Sequence, residues 1–473
     1  MLGLFGTMNL AARSLQTQMT GVEVTGQNIA NVNTAGYSRQ RVQISAGPDL
    51  LTGIGPQGTG ANATSIQQIV SSLLNSQIQS QAGTSGYWNS QSAALQSAQA
   101  ALGEFLNGSG ATSSTAASTT GTTGSGLSTK LNDFFTAFSA LASSPSDSNK
   151  QAAINAAKTL ATAFNNVSSQ FGGVRTGLNT SLSDDVNSAN KLLTEIADLN
   201  KQISSAEFGG GNANNLRDER EQDLENLSQL TSITTSTGAN GALNITVGGQ
   251  TLVAGNAVSD TLQTYDAGGG QMLLRTASGG VNLTLSGGSM QGTIDARDGE
   301  LATMQNSINT LAGTLITKVN TIHDGGYTST GGTGNTFFTG TDAGTIGVNA
   351  ALKNNASLLQ ISSSATLSGD TSLASQISQL STAAQAGLGN LTFTGSYNST
   401  VAGLGDALSN ADTQATNQTA VANMLTTQRG SVSGVNIDEE MTNMILFQRA
   451  YQASAQVVTT VNTLLGDTLA MKV

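Results

Sequence analysis

Ile437-Asp-Glu-Glu-Met441-Thr-Asn-Met444-Ile-Leu-Phe-Gln448-Arg-Ala-Tyr451-Gln-Ala-Ser-Ala455-Gln-Val-Val458-Thr-Thr-Val-Asn462-Thr-Leu-Leu465-Gly-Asp-Thr-Leu469 decides how the chain is read. Its numbered positions from Ile437 to Leu469 alternate four and three residues apart. That spacing is a coiled-coil seam, narrower than the stripe of an ordinary surface helix. Asn436 stands ahead of it as the expected N-cap, with Glu439 as its capping-box partner. Asp438, Glu439 and Glu440 suit the positive end of the helix dipole. Gln448 and Asn462 interrupt the apolar seam, and polar seam positions fix register.

The opposite end carries the same device. Met8, Ala12, Leu15, Met19, Val22, Gly26 and Ile29 keep the four–three alternation, and the segment closes in Asn31-Val-Asn-Thr34-Ala-Gly36-Tyr37, where Asn and Gly supply helix-ending chemistry. A lone helix in water is marginal, so each stripe needs the other, or helices from further copies. Methionines at 8, 19, 441 and 444 put soft, adaptable side chains on both seams.

Composition narrows the function. The chain has 473 residues, with 18 Lys+Arg against 29 Asp+Glu, a formal charge of −11. An acidic balance argues against nucleic acid or an anionic membrane as partner, because both need a basic footprint. Charged residues make up 10% of the chain, against roughly 25% in an ordinary soluble domain. Neutral polar groups and glycine carry the polarity instead, which suits a surface that neighbours will cover. There is no cysteine and one histidine, which removes thiol chemistry, disulfides and zinc sites of the Cys or His type. No cofactor or metal is expected. No apolar run reaches the roughly 18 residues of a membrane span. The start lacks a basic n-region, with Arg13 after the apolar stretch, so no cleaved signal peptide is expected.

Between the ends the pattern changes several times. Residues 65–106 and 127–205 have helical spacing, separated by a polar low-complexity stretch at 107–126. A helix reads from Asn215 to Leu230. Residues 231–290 switch to period two, as in Leu243-Asn-Ile-Thr-Val247, and read as a small β-domain. Helices return at Ile294–Ile322 and Leu404–Arg429, the latter ending in Gly430-Ser-Val-Ser-Gly434; residues 325–400 have no clear pattern. The expected fold is mainly α, with the terminal helices paired as a coiled coil, an elongated helical bundle and an inserted β-domain. The expected division is 1–45 with 433–473, 46–230 with 291–432, and 231–290.

Catalytic signals are weak, and no catalytic residue is assigned. Gly53-Ile-Gly55-Pro-Gln-Gly58 matches a dinucleotide string, but Pro56 sits inside it and no βαβ unit surrounds it. His323 has no nucleophile motif beside it and is read as ending its helix, where a histidine suits the dipole. Asp218, Glu219, Glu221, Asp223 and Glu225, interleaved with Arg217 and Arg220, read as a salt-bridged solvent face or a contact between copies.

Gly26-Gln-Asn28-Ile-Ala-Asn31-Val-Asn-Thr34-Ala-Gly36-Tyr37 resembles the N-terminal signature of bacterial flagellar rod, hook and hook-associated proteins, with Ala35 where many relatives carry proline. Ser433–Glu440, continuing into Phe447–Ala455, resembles the C-terminal counterpart. Gly126–Phe135, Asn215–Arg220, Gly287–Gly292 and Arg297-Asp298 are similar to the hook-associated protein 1 family at the hook–filament junction. That resemblance implies a structural, non-enzymatic adaptor, exported uncleaved through the flagellar type III channel to the extracellular flagellum. The partners it implies are copies of itself in a ring, the hook protein, the next hook-associated junction protein and through it the filament, and an export chaperone at the C-terminal region. It also implies termini that fold on assembly. Met8, Leu15, Met19, Val22, Ile29, Ile437, Met441, Met444, Tyr451, Val458, Leu465 and Leu469 are the expected assembly interface. Asn28, Asn31, Thr34, Gly36 and Tyr37 carry the family signature. Another axial subunit of hook or filament type, a secreted adhesin and a peptidoglycan-acting enzyme remain as alternatives.

Overall fold

The computed structural model describes residues 3–53, 55–102, 126–238, 241–367 and 369–471. Helix α1 (Leu4–Ala30) leads into a ribbon of β1 (Gln40–Ala46) and β4 (Ala61–Gln68), with a small hairpin, β2 (Leu50–Thr52) and β3 (Gly55–Gln57), at its tip. That hairpin is the Gly53–Gly58 string, and no helix opens on it. Residues 65–68 were expected to be helical; they form the end of β4, because Ile66 pairs opposite Val42 on β1. Cross-strand pairing outweighs local spacing there.

The body follows as α2 (Ser72–Leu102), α3 (Leu127–Ser143), α4 (Asp147–Glu207) and α5 (Asn214–Leu230). The low-complexity stretch 107–125 lies outside the described residues. Pro145 keeps residue 144 extended, and Ser146 then caps α4 by accepting from the Asn149 amide. The 61 residues of α4 give a rod about 90 Å long. Its first half, including Ile154, Leu160, Phe164 and Phe171, belongs to a helical core. Its second half, from Leu182 to Ala197, belongs to a separate core under the β-sheet. Gly172, Gly173 and Gly177 fall between the two.

Strands β5 (Ile233–Thr237), β6 (Leu243–Val247), β7 (Gln250–Ala254) and β8 (Ala257–Val258) form an antiparallel sheet in sequence order, beside a hairpin of β9 (Leu262–Asp266) and β10 (Met272–Thr276). Alternate residues of β6, Ile245 and Val247, point into the core with Leu252 and Leu285. The chain returns through α6 (Gly288–Asp295), a π-helical turn (Ala296–Leu301) and α7 (Ala302–Asp324). A side chain at Gly292 would meet the Tyr87 carbonyl at 2.3 Å, so α6 approaches α2 only because that residue is glycine. Arg297 is fully buried in the π turn, forked onto Asp298 and donating to Asn179 Oδ1 and the Met272 carbonyl, each at 2.7 Å. It thereby ties α4 and β10 to the returning helix.

Among the described residues of 325–400 the chain folds into short pieces, β11 (Phe338–Thr339), β12 (Gly347–Val348), α8 (Ala350–Asn354) and α9 (Ser372–Gln379), before the last long helices. Phe337 and Phe338 carry this region into the helical core against Phe134 and Phe138. The last helices are α10 (Phe393–Ser433) and α11 (Ile437–Ala470). α10 starts eleven residues before the expected Leu404, capped by Thr392, whose hydroxyl accepts from the Gly395 amide. It also runs through Gly430, and the Gly434 amide closes its last turn on the Gly430 carbonyl. Among the described residues no helix is long and apolar enough to cross a membrane.

His323 does not serve the dipole as a cation. It is fully buried in α7 beside Phe337; Nε2 accepts the Gln360 amide at 3.1 Å, and the Gln360 side chain donates to the His323 carbonyl at 2.7 Å. Burial pushes the imidazole down to about 4, so it is neutral near pH 7. The folded value lies below the unfolded one, so this contribution is complete above about 6.5. It is lost as pH falls towards 4, because only the unfolded chain takes up the proton there. Between pH 7 and 4.5 the parent should lose about 2–3 kcal/mol more than His323→Gln, from urea midpoints at the two pH values. Equal losses would contradict this burial effect.

Candidate assembly interface

α1 and α11 pair antiparallel. Ser14 and Ser454 share a hydroxyl hydrogen bond of 2.9 Å, Gly21 lies under the Phe447 ring, and Asn28 donates to Glu440 at 2.9 Å. These contacts fall seven residues apart on each helix, running in opposite directions, as a heptad seam requires. A Cβ at Gly21 would approach Phe447 to 2.6 Å, so glycine sets the close spacing there.

This seam uses small and polar residues, with Ala11, Thr17, Val24, Thr25 and Asn28 also buried on α1. It is turned by about one residue from the apolar pattern. Met8, Leu15, Val22 and Ile29 flank it, half-buried, as do Met444, Val458 and Leu465 on α11. Met19, Ile437, Met441, Tyr451 and Leu469 are exposed, with Leu469 at 69%. Further large apolar side chains on α11 are also open: Ile445, Leu446, Val457 and Leu464. At 3.6 residues per turn, Met441 and Ile445 project to one side of the seam and Leu446, Val457 and Leu464 to the other. α11 thus has one face closed by α1 and two apolar flanks uncovered.

The signature residues build a clasp at the root of this coil. α1 ends as Asn31 donates to the Gln27 carbonyl and Thr34 donates to Asn31 Oδ1. Gly36 follows with φ 79°, a left-handed turn that suits glycine. Tyr37 then reaches back, donating to Asn28 Oδ1 at 2.9 Å. Asn28 Oδ1 also accepts the Gln40 amide, and its Nδ2 serves both the Gln40 carbonyl and Glu440 Oε2. Burial, then the negative charges of Asp218 and Glu440, push the Tyr37 phenol up to about 12, so it remains a donor. Arg39 completes the clasp from its Nε to Glu440 (2.8 Å) and its Nη1 to Glu439 (2.7 Å), while its amide donates to the Ser433 carbonyl.

Glu440 is 1% exposed and was read only as a dipole-friendly acid. Asn436 does cap α11, accepting from the amides of Asp438 and Glu439. The Glu439 carboxylate, expected to close a capping box, is turned to Arg39 instead. Arg39, Gln40 and Ser38 went unnoticed because single polar residues after a turn give no periodic signal.

Of the charged residues of α5, Glu219 is exposed and Asp223 half-buried, whereas Arg217, Asp218, Arg220, Glu221 and Glu225 are held by other parts of the fold. Asp218 accepts from the Ser38 amide (3.0 Å), the Ser38 hydroxyl (2.6 Å) and Gln68 Nε2 (2.8 Å). Burial pushes its carboxyl up, opposed by those hydrogen bonds. Arg217 forks onto Glu207, whose carboxyl is held below its usual range chiefly by that hydrogen bond. Arg220 is buried on Asn200 and the Gly241 carbonyl, Glu221 accepts from Gln79, and Glu225 pairs with Arg429. These five residues reach α2, α4, α10, β4 and the turns at Ser38 and Gly241, because α5 lies where those parts meet. No group of His, Asp or Glu suited to a metal ion occurs among the described residues.

Known proteins resemble this chain. A family model for the flagellar hook-associated protein FlgK helical domain matches residues 113–338, and one for the flagellar basal body rod FlgEFG protein C-terminal matches 428–471. The flagellar hook-associated protein 1 of Bacillus subtilis (strain 168) is 27% identical, over 99% of this chain and 98% of its own length. Those of Salmonella typhimurium and Escherichia coli K12 are 24% and 22% identical, each over 97% of this chain and 98% of its own. Over nearly its whole length the chain is similar to the flagellar hook-associated proteins 1. A solved structure described as the flagellar hook junction protein FlgK from Burkholderia pseudomallei has the same fold, at TM-score 0.62 and 17% identity, over 76% of this chain and all of the other. In this chain the clasp gives the N-terminal signature a structural meaning: it joins the terminal helices at their root.

Proposed function

We propose that the chain is the structural adaptor that joins hook to filament in the bacterial flagellum. The observation that carries the reading is α11, closed on one side by α1 and open along two apolar flanks. A helix with two uncovered flanks suits a subunit held between two neighbours. Head-to-tail packing of that kind builds rings and tubes instead of closed dimers. Copies of this chain would cover the flanks using Met8, Leu15, Met19, Val22 and Ile29 with Ile437, Met441, Met444, Tyr451, Val458, Leu465 and Leu469. The relatives' names associate those proteins with the hook; this reading extends the partners to the hook protein on one side and the next junction protein, then filament, on the other.

The same reading includes export through the flagellar type III channel to the cell exterior, a chaperone holding the C-terminal region beforehand, and terminal helices that order on assembly. Coupled folding and assembly suits a seam built on small residues and polar clasps, which gains its apolar burial only when partners arrive. It also includes a three-part division into 1–45 with 433–473, 46–230 with 291–432, and 231–290. It needs no catalytic residue, cofactor, nucleic acid or membrane partner.

Imaging a strain that lacks the chain tests the role. Hooks without filaments, with unpolymerised flagellin in the medium, are expected; normal filaments would refute it. Complementation with Leu15→Asp or Val458→Asp should leave the body folded, by circular dichroism of the purified chain, but reduce incorporation into hook–filament particles at least tenfold. Normal incorporation of both would remove these residues from the interface.

A further inference from the structure

Two sets of polar contacts, both anchored on α5, link the terminal coil on one side and the β-sheet on the other. The first begins at Glu440 on α11 and passes to Asn28 on α1, then to both backbone groups of Gln40 on β1. The Gln40 side chain is gripped at both ends by α5: Nε2 donates to Asn215 Oδ1 (2.9 Å) and Oε1 accepts from Asn214 Nδ2 (3.1 Å). Ser38 and Gln68 add the three hydrogen bonds to Asp218, and Gln68 also donates to the Asn214 carbonyl at 2.7 Å. Two turns further along α5, Arg220 donates to Asn200 Oδ1 on α4 at 2.7 Å. Asn200 exchanges hydrogen bonds with both backbone groups of Leu243 and donates to the Gly255 carbonyl.

Six side chains in these sets are buried, Asn28 and Asn200 at 0% exposure, Glu440 at 1%, Gln40 and Asn214 at 6% and Arg220 at 8%, while Asp218 and Gln68 are half-buried and Asn215 is exposed. Buried polar groups are costly unless satisfied, and a satisfied network permits one arrangement only. Apolar packing alone would let the coil slide or rock on the body, since dispersion contacts are not directional. Directional bonds from three elements onto the first two turns of α5 remove that freedom.

We propose that α5 is the elbow of the molecule, and that Asp218 and Asn214 are positioning residues fixing the angle at which the terminal coil leaves the helical body. They touch no partner; they act through Ser38, Gln40 and Gln68. The inference rests on the flagellar reading above only for the setting in which the angle matters. In a subunit held between neighbours, that angle decides whether the body meets the next copy when the coil is in place.

The chain has no native cysteine, so a labelled pair is unique. Spin labels at Glu23→Cys on α1 and Lys201→Cys on α4, both exposed, report the elbow by pulsed electron resonance. The full chain would be measured in hook–filament particles, co-expressed with excess unlabelled chain to suppress distances between copies. One narrow distance is expected for the parent elbow. Asp218→Ala should at least double the width of that distribution, and Asn214→Ala, the second variant should the first misfold, should do the same. Asp223→Asn, on the same helix but outside both sets, should leave it unchanged. Melting of the free variants within about 2 °C of the parent separates a loosened elbow from a damaged body. A distribution as narrow in both alanine variants as in the parent would overturn the proposal. Recovery of the labelled parent in the particles checks the flagellar reading separately.

Discussion

Arg39→Met should loosen the root of the terminal coil more than any change to the carboxylate it holds. Removing one member of a buried ion pair costs about 3–5 kcal/mol, because the other charge is left without its partner. The Arg39 side chain is 21% exposed and that of Glu440 is 2% exposed, so water screens part of the loss and about 2–3 kcal/mol is expected. Glu440 would be left ionised with only Asn28 against it. Glu440→Gln removes the charge along with the bond and leaves one donor facing a donor, a loss of about 1–2 kcal/mol. Hydrogen exchange of the amides early in α11 separates the two. Roughly 30–150-fold faster exchange is expected in Arg39→Met, since 1.4 kcal/mol is a factor of ten, and clearly less in Glu440→Gln. Equal rates in the two variants would mean that the clasp is not held by this charge pair.

The second large effect belongs to the body. Phe134 is fully buried, with the rings of Phe138, Phe135, Phe338 and Phe337 centred 5.0, 5.2, 5.7 and 6.2 Å away. It joins α3 to the irregular region after α7 through Phe337 and Phe338. Phe134→Ala should cost about 3–5 kcal/mol, the transfer loss plus the cavity left among rings that cannot close in. Phe208→Ala, at 94% exposure, should stay within about 0.5 kcal/mol. Denaturant midpoints of the body transition, at unchanged slope, measure both. A cost under about 1 kcal/mol at Phe134 would show that the region around Phe337 is held by something else.

Strong local periodicity carried the legible part of the fold. The terminal helices, the Asn436 cap, the alternating β6 and the long helical runs are all visible because their patterns repeat. The seam itself was less legible. Apolar spacing pointed to Met19 and Met441, which lie open, while the buried contacts fall on Ser14, Gly21 and Asn28. Close approach of two helices selects small residues, and these carry no hydropathy signal. The clasp and α5 were misread for a related reason. Charges at helical spacing look alike whether they meet water or other parts of the fold, and only the tertiary arrangement tells Asp218 from Asp223. Phe337-Phe338 could have been weighed as an anchor, since adjacent aromatics in a Gly/Thr-rich stretch have little other purpose.

Because the helices of the coil run in opposite directions, the start of α1 and the end of α11 lie together at its far tip. Everything from Gln40 to Ser433 is then a single excursion hung from one stem. Such a layout separates two kinds of change. The excursion can gain or lose a module, or exchange one for another, without altering the stem's length or its polarity, so long as both strands of chain return to the same root.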